Sequence, residues 1–142
     1  MFSDKDLIFR APDRSVLDFT AGGFAQHVLI LSVAEPAFPG NRNFLTKILA
    51  ASRLNLEQDT LFAEIPAGMP VTVLPAIRQK QAGHILVFGL PALQIGVVAA
   101  FSLYQPQIFY GATFLFADAL SILEPDKNRK GKLWQALQQL FP

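Results

Sequence analysis

HILVFGLPALQIG, residues His84 to Gly96, decides how the rest of the chain is read. Ile85, Leu86, Val87, Phe88 and then Leu90 are apolar, with only Gly89 between them and Gly83 bounding the run upstream. A short continuous apolar run between turn signals suits a strand buried on both faces, as in a parallel sheet. Gly89 lets the chain turn tightly at the strand's carboxyl end, and Pro91 suits the first position of a helix. In open α/β sheets, sites gather just outside that end. One wall of any site is therefore expected here.

Upstream, His27 to Val33 (HVLILSV) is a second strand too apolar to have a wet face. The stretch AEPAFPGNRN carries Pro36, Pro39 and Gly40 and reads as a loop at that strand's carboxyl end. Asn43 is placed to cap a helix from about Phe44 to Arg53, with Phe44, Leu45, Ile48, Leu49 and Ser52 along one face. Asn55 ends that helix, and Thr60 to Ile65 reads as the next strand. Pro66, Gly68 and Pro70 mark a loop, and the alternation favours a crossover helix within Val71 to Gln81.

Downstream of the Pro91 helix, Val97 to Leu103 gives way to Tyr104, Gln105, Pro106 and Gln107. Ile108 to Phe116 (IFYGATFLF) then reads as one strand, with Gly111 a bulge. Asp118 to Leu123 is a loop or short turn. Pro125 or Asp126 opens a last helix, where Leu133, Trp134, Leu137, Leu140 and Phe141 share one face. Residues 1 to 25 read as a short helix or irregular wrap, with Gly22-Gly23 turning into the first strand. Strands alternating with helices predict an α/β fold: one domain over 1–142, a three-layer α/β/α sandwich with a short, mostly parallel central sheet in 26–142.

Composition narrows the function classes. With 51% hydrophobic and 16% charged residues, the chain is a folded, rather apolar domain. A net charge of +1 gives no global attraction to nucleic acid. Cysteine is absent, which removes disulfides and thiolate metal sites. The start, MFSDKDLIFR, lacks the basic-then-apolar order of a signal peptide, and no apolar run approaches the roughly 18 residues of a membrane helix. A soluble cytoplasmic protein without a membrane partner is expected. Thirteen Phe residues make an aromatic core, with some to spare for a partner surface.

Chemistry-bearing residues are few. His27 and His84 stand at strand starts, on the side of the sheet away from the expected site, and their spacing fits no zinc motif. They read as structural, and no metal or cofactor is expected. No GxSxG elbow, glycine-rich phosphate loop or GxGxxG occurs. Gly40-Asn41-Arg42 before a helix could offer amide donors to an anion, although a solvated loop is the simpler reading. Glu35 follows the first strand and Asp118 the last, so both can reach the rim formed with Pro36, Gly40, Asn41, Gly89 and Leu90. Two acids there can do acid/base work if burial separates their pKa values. For Asp118, capping the following turn is favoured. Lys127, Arg129, Lys130 and Lys132 crowd the first turns of the last helix, where cations oppose the macrodipole. They are candidates for anion or acidic-partner contact, weighed against a solubilising face.

These segments, in this order, resemble the uracil-DNA glycosylase superfamily. AFPGNRNFLTKIL, Ala37 to Leu49, is similar to its Pro-Gly loop and "PF.G..G..L" helix opening. FGLPALQIG, Phe88 to Gly96, is similar to its "LG..A" turn, and Leu133-Trp134-Gln135-Ala136-Leu137 follows FLFADALSIL as a "W.DL" helix follows the family's "HPS" loop. The resemblance implies catalysis by a polar residue in the first loop and by the HPS histidine. Asp118 stands about where that histidine would be, and a carboxylate facing a departing uracil anion would raise the barrier. Base flipping would also need an aromatic pocket and a wedge.

The resemblance thus implies the fold with its chemistry lost. It extends to the psi family of bacterial DNA polymerase III clamp-loader subunits, which shares that fold without catalysis and binds replication proteins. The expectation is a non-enzymatic interaction module, a psi-like replication accessory with no catalytic residues. It would use Phe and Tyr anchors within Phe101 to Phe109 on a protein partner, with nucleic acid a weaker prospect. The alternatives are a glycosylase-type hydrolase using Glu35 or Asp118, and a small-ligand binder around Gly40, Gly89 and Asp118.

Overall fold

Four apolar strands lie side by side in the computed structural model, which describes residues 14–142. They are β2 (Val28–Val33), β3 (Thr60–Ile65), β4 (His84–Phe88) and β6 (Ala112–Ala117). Each alternates its side chains between two apolar clusters, the signature of a pleat covered on both faces. Leu29, Leu31, Ile85, Val87, Phe114 and Phe116 point to one face. Val28, Ile30, Leu86, Phe88 and Leu115 point to the other.

With β1 (Thr20–Ala21) and β5 (Gln107–Phe109) at its edges, the described sheet has six strands in the order β1-β3-β2-β4-β6-β5. The pairings β3–β2, β2–β4 and β4–β6 are parallel. The two edge pairings, of β1 with β3 and of β5 with β6, are antiparallel. The sheet is therefore mixed, not the mostly parallel sheet the sequence predicts. One reason lies in IFYGATFLF. Tyr110 and Gly111 both have positive φ, 54° and 81°, so the chain reverses there and the expected single strand is a hairpin. Gly111 is a turn residue and not a bulge.

Three helices, including the two longest among the described residues, lie on one face. They are α1 (Asn41–Ala51), α4 (Leu120–Leu123) and α5 (Lys127–Leu140), which contribute Leu45, Leu49, Leu120, Leu123, Leu133 and Leu137 to the second cluster. The opposite face is closed by shorter pieces: a 3-10 turn at Val16–Phe19, α3 (Leu74–Arg78), a 3-10 turn at Ala92–Ile95, and the segments carrying Val71, Val73 and Val97. The crossover helix expected within Val71 to Gln81 is present as α3, with Pro75 in its first turn, whereas the expected Pro91 helix is a single 3-10 turn with Pro91 as its cap.

Two caps differ from expectation for local reasons. Helix α1 opens at Asn41 behind Gly40, so Asn43 lies inside it and caps nothing. Asn55 starts a helix where one was expected to end, its side chain accepting from Glu57 N and Gln58 N at the head of α2 (Leu56–Asp59). Asp126 opens α5 as expected, accepting from Arg129 N. The part of the helix-or-wrap expectation for residues 1 to 25 that falls on residues 1–13 lies outside the described residues. Among the described residues, no helix is long and apolar enough to cross a membrane.

Candidate functional site at the carboxyl ends of the strands

Strand order fixes where a site can form. The chain leaves β2 toward the face of α1 and leaves β4 toward the opposite face, through Ala92–Ile95. Between β2 and β4 the connections diverge, and in α/β sheets such a divergence opens a crevice outside the carboxyl ends. Glu35 follows β2 there and Gly89 follows β4, as the sequence predicts.

The crevice is closely packed at Gly89, although Gly89 also borders an open depression on the side of β6. A Cβ at Gly89 would meet Val33 Cγ1 at 2.7 Å and Ala119 Cβ at 2.9 Å, so side chains from two neighbouring segments already occupy the space above the turn. Gly89 itself has φ +75°, and its N–H donates to Ala117 O at 2.9 Å. Leu90 is buried, while Pro36 is exposed and Gly40 half-buried.

Both rim acids are engaged within the chain. The Glu35 carboxylate accepts from the Ser121 hydroxyl, and from Ser121 N at 3.3 Å. It therefore serves the free amide at the amino end of α4. The capping role expected of Asp118 falls to Glu35, since Ala119 is the N-cap of α4 and makes no side-chain cap. Asp118 instead accepts from the Tyr104 hydroxyl and pairs with Arg129 Nε at 3.1 Å. Burial holds the Tyr104 hydroxyl well above the ordinary tyrosine range, and its hydrogen bond to Asp118 adds to the shift. Tyr104 thus remains a donor.

Arg129 also answers the misfit of cations at the start of α5. Its Nη1 lies 3.0 Å from Asp126 Oδ2, so two carboxylates face the helix amino end beside it. Lys127 and Lys132 are exposed and Lys130 is half-buried. Asn41 is buried and gives its Nδ2 to Glu64 Oε2 at 3.0 Å, so its side chain is committed within the fold. His27 and His84 stand at the amino ends of their strands, where His84 packs on Phe141 with ring centroids 4.9 Å apart. Among the described residues, no three His, Cys, Asp or Glu side chains converge as metal ligands would.

Two depressions flank Asp118. One, of about 300 Å³, is lined largely by apolar side chains, among them Leu90, Phe101, Leu103 and Ile122. Phe101 packs on Phe116 with tilted rings 4.6 Å apart between centroids, and Leu103 is bridged to the same strand, yet both stay exposed, as does Ile122. The other, of about 430 Å³, is polar and runs along α5 past Tyr104, Asp118, Arg129, Lys132 and Gln135. Sequence reasoning placed Tyr104 in the stretch of partner anchors but missed its pairing with Asp118, and it missed Ser121 as a site residue. The signal for Tyr104 was a lone hydroxyl-bearing ring in the polar segment Tyr104 to Gln107. No protein-family model matches the chain, and no curated protein matches it in sequence.

Proposed function

We propose that this chain is a non-enzymatic protein-interaction module with a uracil-DNA-glycosylase-like three-layer α/β/α fold, acting as a psi-like accessory in replication. The observation that carries this reading is the engagement of both rim carboxylates. Glu35 is spent on a helix end and Asp118 on a tyrosine and an arginine, leaving neither as an open general base. Two further observations support it. The parallel strands run in chain-order positions 2-1-3-4, a doubly wound arrangement, and Asp118 directly follows the last of them. Where an enzyme of this build would open a crevice, the rim presents Phe101, Leu103 and Ile122 to solvent.

The partner in this reading is a replication subunit that buries those three side chains, with the aromatic ring as the anchor. Two measurements test it. Purified chain is expected to leave uracil in single-stranded DNA untouched, and excision abolished by Asp118→Ala would overturn the reading. Immobilised chain is expected to retain a replication protein identified by mass spectrometry, and to release it on Phe101→Ser with Ile122→Ser. Failure to retain any replication protein counts against the proposal. The polar depression beside Arg129 and Lys132 favours a second reading, a small-anion binder, which a thermal shift with nucleotides would reveal.

A further inference from the structure

The near-neutral net charge of +1 conceals a strong asymmetry. Residues 41–53 and 127–140 hold seven of the twelve Lys and Arg residues and none of the Asp or Glu; Arg129 among them is paired with Asp118 and Asp126, and three others, Lys47, Arg53 and Lys130, share one surface. These segments are α1 with its C-terminal flank, and α5, and they lie side by side. Between them runs a groove of about 260 Å³ floored by Ile48, Leu133 and Leu137, with Lys47 on one bank and Lys130 on the other. Trp134 forms one wall at 39% exposure, although a tryptophan on a packed helix face was expected to be core. Past Trp134 the depression continues for about 290 Å³ beside Arg53, Gln138 and Phe141. Lys130, Trp134, Gln138 and Phe141 recur at the spacing that places them along one helix flank.

We propose that this groove between α1 and α5 is a docking site for an acidic peptide segment that carries an apolar anchor side chain. The argument is charge complementarity joined to an apolar floor. The residues lining both halves include three cationic side chains, Lys47, Arg53 and Lys130, and no acidic side chain, with Pro142 at the far end. An acidic strand laid along them meets a cation on each bank, while hydrocarbon and the indole face receive the anchor. Single-stranded nucleic acid fits less well. Its sequence-tolerant binding uses several stacking rings in succession, and the floor here is aliphatic with one exposed indole. This surface is separate from the rim of Phe101 and Ile122, so the two inferences can fail independently.

Trp134 is the only tryptophan in the chain, so its emission reports directly on the groove. The probe is a fluorescein-labelled peptide, DEEDLFDELF, followed by anisotropy, with the unlabelled peptide used for tryptophan emission. Binding is expected to be saturable, to shift the emission to the blue, and to weaken as salt rises. Trp134→Ala should weaken it roughly tenfold, as removal of an interface anchor does. Lys47→Glu with Lys130→Glu should weaken it by roughly tenfold or more, and Phe101→Ser should leave it unchanged. Should the charge-reversed variant fail to melt cooperatively, the salt titration on the unaltered chain decides, and a flat salt response overturns the proposal. Equal binding of the amide peptide NQQNLFNQLF overturns it, as does an emission shift produced by oligothymidylate but not by the acidic peptide.

Discussion

Gly89 shows how tightly two neighbouring segments pack over the end of β4. Its φ of +75° lies where side chains are strained, and Val33 and Ala119 already stand within 3 Å of where a Cβ would go. Gly89→Ala is expected to lower stability by about 2–4 kcal/mol, the sum of backbone strain and overpacking, and denaturant unfolding measures it. A variant as stable as the parent would mean that the crevice can open. Glu35 and Asp118 could be placed on this rim from sequence, because each directly follows a recognisable strand. Their roles could not, because Ser121 and Tyr104 reach them from 86 and 14 residues away. Local spacing predicts a cap, and a distant donor decides which acid becomes one.

Among the elements, the strands from His27 through Phe88 were legible, since uninterrupted apolar runs have few other stable uses. The hairpin was not. Tyr110-Gly111 is a poor version of the Asn-Gly pair that suits two consecutive positive-φ residues, and the apolar residues around it mask the reversal. Tyr110 is 49% exposed, so little packing is lost on replacement. Tyr110→Asn is expected to raise stability by roughly 0.5–1 kcal/mol, read as a higher midpoint in urea at unchanged slope. The last helix is legible at its start through Asp126, but the apolar spacing puts Trp134 in the buried stripe. It lies one position beyond Leu133, which rotates it off the core and onto the flank facing α1.

For the whole molecule, the uneven cover of the sheet bears on its response to pH. At the amino end of β4, burial lowers the pKa of His84 from its ordinary value of 6.5, so the folded chain favours the neutral ring. The unfolded chain then binds a proton more readily. The His84 contribution is fully present above pH 6.5 and is lost as the pH falls from there toward the lowered folded value. His84→Gln should flatten that part of the curve of melting temperature against pH. A curve of the same shape for both proteins would remove His84 from the account. The basic face of α1 and α5 is likewise a property of the assembled fold, since its two halves lie more than seventy residues apart in sequence.

By itself the sequence determined that apolar strands buried on both faces would alternate with helices, and that His84 to Phe88 would lie inside the sheet. Those outcomes follow from local periodicity and from the need to keep continuous apolar runs out of water. Only the tertiary structure decided that both edges run antiparallel, that Val33 and Ala119 pack over Gly89, and that Trp134 stands over a basic groove. Each of these depends on which distant segments meet, and contacts between distant segments are settled by packing volume and available hydrogen-bond partners, which no local pattern encodes.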